Sequence, residues 1–273
     1  MAQIISKFLT KNPYFNDGKW ITGGNLKGFM LHSVGCNQPD PLVFIKNWDR
    51  ADFTYAGISG FIGDEAVYVT ASCLDTPGGV KRMPHGGKSA TNNHYIGFEM
   101  CEPNQLRYTG VGANFECNDR VTAQAYVRKT YANAVDLFAK LCKLHGKDPL
   151  ADGVIISHAE GSKRGIASNH ADPEHLWDGL DLPFTMNGFR KDVYNKLHNI
   201  GEDEIDMTKA ELEKLIDERV KAILKGEGTL PSTWAKKELQ AAKENGITDA
   251  SRPQGYATRQ EVACMVWRSV NNK

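Results

Sequence analysis

ISHAEGSKRGIASNHADPEHLW, residues 156–177, sets His158, Glu160, His170, Asp172 and His175 among glycines and other small residues, directly after the apolar run Val154-Ile155-Ile156. Imidazole and carboxylate are the donors that a borderline divalent ion such as zinc takes. A strand delivering His158 and a loop returning Asp172 to it supply two ligands. A catalytic zinc needs a third protein ligand and keeps one position open, so the third ligand has to be sought elsewhere in the chain.

Upstream, residues 26–34 (LKGFMLHSV) read as a buried strand between glycines, with His32 near its C-terminal end. Residues 41–49 start a helix, and 56–71 form a hairpin turning at Asp64-Glu65. Glu99 lies inside the apolar strand YIGFEM, where a carboxylate needs a partner or a task. Residues 121–145 form the clearest helix: Val127, Tyr131, Val135, Phe138 and Leu141 recur on one face, Thr122 is placed to cap it and Gly146 to end it. The strand GVIISH ends on His158, and a last helix covers 187–198. Strands separated by helices and long loops indicate an α/β or α+β domain ending near residue 199, with His32, Glu99 and His158 on one catalytic face.

At 273 residues, 41% hydrophobic and 24% charged, the chain has the composition of a soluble globular protein with room for one large domain and a small module. Formal net charge is zero, which offers no support for nucleic acid as a partner. No apolar run is long enough to span a membrane, and the N-terminal run is too short for a secretory signal. Six cysteines stand without framework spacing and read as reduced thiols. Composition changes after residue 199: a polar linker with the charged amphipathic helix 207–225 occupies 200–228, and a helical module fills 229–273. That amphipathic helix reads equally as a solvated connector or a self-associating one.

His32 in LHS, Glu99 in IGFE, His158 in ISHAE and Asp172 in HADP, taken in order, resemble the type 2 N-acetylmuramoyl-L-alanine amidases, a family that includes phage lysis amidases and peptidoglycan-recognition proteins. The resemblance spans roughly residues 20–198. It implies a mixed central β-sheet flanked by helices, zinc held by His32, His158 and Asp172, and Glu99 assisting the attacking water. It also implies a polar catalytic role for His170 and a place for His85 in the substrate groove. The implied reaction is hydrolysis of the amide between N-acetylmuramic acid and L-alanine in peptidoglycan. Without an export signal, the implied setting is an endolysin made in a host cytoplasm that reaches the wall after release. Departures are visible: a tyrosine common on the hairpin strand is missing, with Ile58 and Tyr55 nearest, and DPE replaces the usual DPG. His175 reads as a structural or groove residue, and Glu160 as either an orienter of His158 or a solvated loop residue. Two rivals are a binding-only protein of the same fold and a cysteine hydrolase pairing Cys36 with His158.

In the C-terminal module, Trp234-Ala235 opens one helix, and Thr258 with Glu261 forms a capping box for a second. The order WA, GI, D, P, TR, E resembles one S-layer homology repeat, which implies binding of a secondary wall polymer through Trp234 and Arg259. A packing or dimerisation appendage is the other reading. A single repeat cannot bury its own apolar face, so docking on the amidase domain or self-association is expected. Met207 is a candidate internal start for free module.

Overall fold

A strand that is apolar on both faces must be covered on both sides, and GFMLHS and YIGFEM are such strands. In the computed structural model, which describes residues 2–74, 79–110, 113–200, 214, 217–218, 220, 231–232, 235–251, 253, 257 and 259–271, they lie side by side at the middle of a sheet. The strands are β1 (Gln3–Ser6), β2 (Trp20–Ile21), β3 (Gly28–Ser33), β4 (Gly60–Ile62), β5 (Ala66–Val69), β6 (Val80–Lys81), β7 (Tyr95–Met100), β8 (Leu106–Tyr108), β9 (Phe115–Cys117) and β10 (Ile155–Ser157). The helices of the same unit are α1 (Pro41–Trp48), α2 (Ser89–Asn92), α3 (Arg120–His145), α4 (His158–Lys163), α5 (Glu174–Gly179) and α6 (Met186–Leu197).

The main sheet has the order β1-β5-β4-β7-β3-β10. Strands β4, β7, β3 and β10 are mutually parallel, β5 runs antiparallel to β4, and β1 is parallel to β5. This is the mixed sheet with flanking helices that the motifs imply. On one face, Phe29 and Phe98 meet Phe138 of α3 and Phe189 of α6 in a fully buried aromatic cluster, with Phe138 and Phe189 edge to face at 5.2 Å. On the other face, Ile45, Ile58 and Phe61 form a second apolar patch, and Met30, Ile156 and Ala167 a third. Side chains alternate along a strand, so His32 and Glu99, paired in register, project from this second face beside Phe61. The parallel strands β3, β7 and β10 all end here, and the crevice outside such ends is where α/β sheets bind ligands.

Three local readings change. Helix α3 begins one residue earlier and is capped by Asp119, whose side chain accepts from the Thr122 N–H at 3.1 Å, while the Thr122 hydroxyl donates to the same carboxylate at 2.6 Å. A carboxylate at that end also meets the positive pole of the helix. Gly146 does end the helix, with φ of +62°, a left-handed conformation that glycine adopts without a steric penalty. His158 is not the last residue of a strand: β10 stops at Ser157, and His158 opens α4 under a capping box between Ser157 and Glu160. Strands β1, β2, β6, β8 and β9 have only two to four residues, too few to show a period.

The chain divides into two compact units, Met1–Asp203 and Glu204–Lys273. In the second, the helices Lys236–Glu244 and Arg259–Asn271 bury none of their described residues, and Leu239, Ala242, Ile247 and Met265 line the groove they share. Arg259 is exposed at a helix start; Trp234, Thr258 and Met207 lie outside the described residues, as does most of 207–225. Among the described residues no helix is long and apolar enough to cross a membrane.

Candidate active site

His32, at the fifth position of β3, is buried beside Glu99 of β7. Helix α4 brings in His158, and the Ala159 N–H donates to the Asp172 carbonyl at 3.1 Å, closing the loop back onto that helix. The result is a buried triangle: His32 Nδ1 to His158 Nδ1 is 3.0 Å, His32 Nδ1 to Asp172 Oδ2 is 3.3 Å, and His158 Nδ1 to Asp172 Oδ1 is 3.6 Å. A tetrahedral zinc with ligand bonds near 2.05 Å sets its donors about 3.3 Å apart. The two imidazole nitrogens and the two carboxylate oxygens they face are spaced within a few tenths of an ångström of that length, and two imidazoles with one carboxylate are a donor set zinc accepts. These residues fit a zinc ion.

The electrostatics agree with a site built around a cation. Burial alone raises the Asp172 carboxyl, but hydrogen bonds from His170 and His32 outweigh it and hold the group well below the usual carboxylate range. Burial, and then the neighbouring His32, depress His158 to about 4. Burial also opposes a charged His32, yet Glu99 and Asp172 overcome it and raise its proton affinity.

Glu99 is half-buried, its Oε2 fully enclosed without a hydrogen-bond partner. Burial pushes its carboxyl up to about 7, against the pull of His32. An unpartnered buried carboxylate oxygen is costly and marks a group reserved for a ligand or a proton. His170 stacks on His158 with ring centroids 4.2 Å apart, and its Nδ1 lies 3.3 Å from Asp172 Oδ1, which raises its pKa. Its side chain is 56% exposed, so solvent reaches it beside the buried triangle.

Other residues take places that the sequence did not settle. Glu160 caps α4 and receives both guanidinium nitrogens of Arg190 at 2.9 Å, so it neither orients the His158 ring nor stands in solvent. His85 has both ring nitrogens engaged within the protein, 2.9 Å from His32 Nε2 and 3.0 Å from the Tyr95 carbonyl, and burial depresses it to about 3. Tyr55 is 87% exposed and Ile58 is enclosed in the apolar core; neither supplies a hydroxyl to the triangle. Ser168, Asn92, Glu102 and Tyr108 escaped the sequence reading, because none belongs to a motif and only folding places them near the histidines.

The sequence pattern of the N-acetylmuramoyl-L-alanine amidases matches residues 23–175, more than half of the chain and all of the triangle. The chain belongs to this family. Its enzyme class is accordingly N-acetylmuramoyl-L-alanine amidase, acting on peptidoglycan. The fold is shared with the Staphylococcus aureus hydrolase AmiA in complex with its ligand, at a TM-score of 0.53 and 16% identity over 73% of this chain and 87% of that one. The catalytic domain of XlyA (TM-score 0.47, 18% identity, 70% of this chain and 99% of that one) and a mutant endolysin from Bacillus subtilis (0.43, 20%, 71% and 99%) are also similar. No curated protein sequence matches the chain.

For this amidase a cysteine mechanism loses support. Burial, with Glu102 and Glu99 nearby, pushes the Cys36 thiol up to about 11, which leaves little thiolate at neutral pH. None of the six cysteines, all among the described residues, forms a disulfide.

Beside the site lies a buried network. Glu102 accepts from the Gly35 N–H at 3.0 Å and from the Tyr108 hydroxyl, which in turn lies 2.9 Å from His175 Nε2. His175 is thus tied into this network, packed against Tyr108 and Phe115. Glu102 is fully buried, and burial raises its carboxyl to about 7, above the roughly 4.3 of an unfolded chain. A raised carboxyl stabilises the fold fully below the unfolded value, and that contribution is lost as pH rises through the folded value. The metal-free enzyme should therefore lose urea stability from about pH 4 to pH 7, with each unit of pKa separation worth about 1.4 kcal/mol at most. Glu102→Gln, which keeps an acceptor for Gly35, is expected to flatten that slope. An unchanged slope in the variant would assign it to the other carboxyls that burial raises to about 7, Glu99 and Glu174.

Proposed function

We propose that this amidase is a zinc enzyme that cuts the bond between N-acetylmuramic acid and L-alanine and so lyses bacterial cells. The buried triangle of His32, His158 and Asp172 carries the reading. Two imidazole nitrogens and one carboxylate come together there within the reach of a single ion, and His170 and Glu99 border it.

In this reading the two Nδ1 atoms and the Asp172 carboxylate hold the ion. Bound zinc supplies Lewis acidity, polarising the amide carbonyl and acidifying water near neutral pH. Glu99 takes the proton of the attacking water at Oε2 and delivers it to the departing nitrogen, the general acid–base task a poor amine leaving group demands. His170, held beside the site by Asp172, donates a ring N–H to the oxyanion that develops on the carbonyl. Burial of the triangle restricts water around the reacting atoms, which strengthens each of these interactions.

We assign wall-polymer recognition to the second unit, with Trp234 and Arg259 as contacts. The order of its helix signals supports this, and so does a helix pair whose apolar residues stay unburied within the unit.

Digestion of purified peptidoglycan by zinc-loaded, chelated and zinc-restored protein tests the proposal, with new ends identified by mass spectrometry. Free L-alanine amino termini should disappear with chelator and return with zinc. New reducing sugars or split peptides in their place would contradict it.

A further inference from the structure

We propose that the His85–Gly86 segment, anchored by Asn92, is a positioning layer that dictates which ring nitrogen His32 and His158 both present at the metal centre. The inference rests on the zinc reading above and concerns residues behind the ligands.

Backbone carbonyls can only accept hydrogen bonds, and one lies at the end of each chain of contacts. His85 Nε2 lies 3.0 Å from the Tyr95 carbonyl and must donate to it. The Nδ1 of neutral His85 is then an acceptor, and His32 Nε2, 2.9 Å away, must donate to it. That leaves the lone pair of His32 on Nδ1, the atom facing His158 and Asp172. On the second ligand, the Ser168 N–H donates to the Gly86 carbonyl at 2.9 Å, and its hydroxyl points to the same oxygen at 3.4 Å. The hydroxyl oxygen then accepts from His158 Nε2 at 3.0 Å, so His158 also keeps its lone pair on Nδ1.

Two adjacent residues thus act on both ligands, and they are held as a unit. The buried Asn92 Oδ1 accepts from the His85 N–H at 2.9 Å and the Gly86 N–H at 2.8 Å. Gly97 of β7 completes the arrangement, because a Cβ there would stand 2.4 Å from His85 Nδ1. Only a residue without a side chain lets the His85 ring lie flat against that strand. A ligand histidine held through its second nitrogen is a better-oriented and more basic donor, and loss of such a partner typically weakens metal binding 10–100-fold.

The test is zinc affinity of the full chain, by competition with a chromophoric chelator. His85→Phe keeps a ring of similar size without nitrogen, and it should bind zinc about 10–100-fold more weakly. His85→Gln, able to accept from His32 and donate to Tyr95, should recover part of the loss. Ser168→Ala should weaken binding less, because its contact with Gly86 is longer, and it serves as the second variant should His85→Phe not fold. Ring ¹⁵N spectra should show Nε2–H on His32 and His158 in the zinc form, and a mixed pattern for His32 in His85→Phe. A purely structural role for His85 would lower thermal stability and leave zinc affinity and ring pattern unchanged, which overturns the proposal. A wild-type chain that took up no zinc would sink the zinc reading instead. The ring pattern of His85 and His158 in the metal-free protein would then still decide the relay.

Discussion

Glu99→Gln is expected to lower kcat on peptidoglycan by about 10²–10⁴-fold, the usual worth of a positioned general base, with zinc still bound. Glutamine has the shape of glutamate and lacks only the basic oxygen. The three proposed ligands are untouched by the change, and Glu99 stands beside His32 in register across β3 and β7. KM should move little, because the lost interaction belongs to the transition state. The pH profile offers a second check. Burial raises the Glu99 carboxyl to about 7 without metal, and a base works only when deprotonated. Wild-type activity should therefore fall on the acid side, at a pH that a nearby zinc charge shifts downward. The residual activity of Glu99→Gln should lack that limb. Full turnover by a zinc-loaded variant would remove Glu99 from the chemistry.

Zinc is expected to stabilise the fold, and Asp172→Ala to abolish both that stabilisation and activity. A ligand that binds only the native state at 100–1,000 times its Kd contributes about 2.7–4.1 kcal/mol. For a unit of roughly 200 residues each kcal/mol moves Tm by about 2–4 °C, so calorimetry should show a rise of roughly 5–16 °C between chelated and zinc-loaded protein. Without Asp172 two imidazoles remain facing each other, and the carboxylate that completes the triangle is gone. The metal-free variant should itself be less stable than metal-free wild type, because His32 and His170 lose a buried hydrogen-bond acceptor. A zinc-induced shift of equal size in Asp172→Ala would place the stabilising ion elsewhere.

How far the sequence was legible differs by element. The strand GFMLHS, the strand YIGFEM and the helix ending at Gly146 announce themselves through continuous apolar runs or a clear 3.6-residue period, and the structure agrees with each to within about two residues. The capping box at Ser157 and Glu160 was present in the letters, yet the apolar run before it drew His158 into the strand. Glu160 shows the limit of a local reading, since its partner Arg190 comes from α6, thirty positions further along.

Chemical type and order along the chain were enough to name the family and to propose His32, Glu99, His158, His170 and Asp172 as its working residues, because each carries a group that metal-assisted hydrolysis can use and sits beside a recognisable strand or turn signal. Only the tertiary structure decided that His85 stands behind His32, that Ser168 stands behind His158, and that one asparagine holds the segment reaching both. Hydrogen-bond direction is a property of atoms brought within about 3 Å of each other, and no spacing along a chain encodes which carbonyl will close the line.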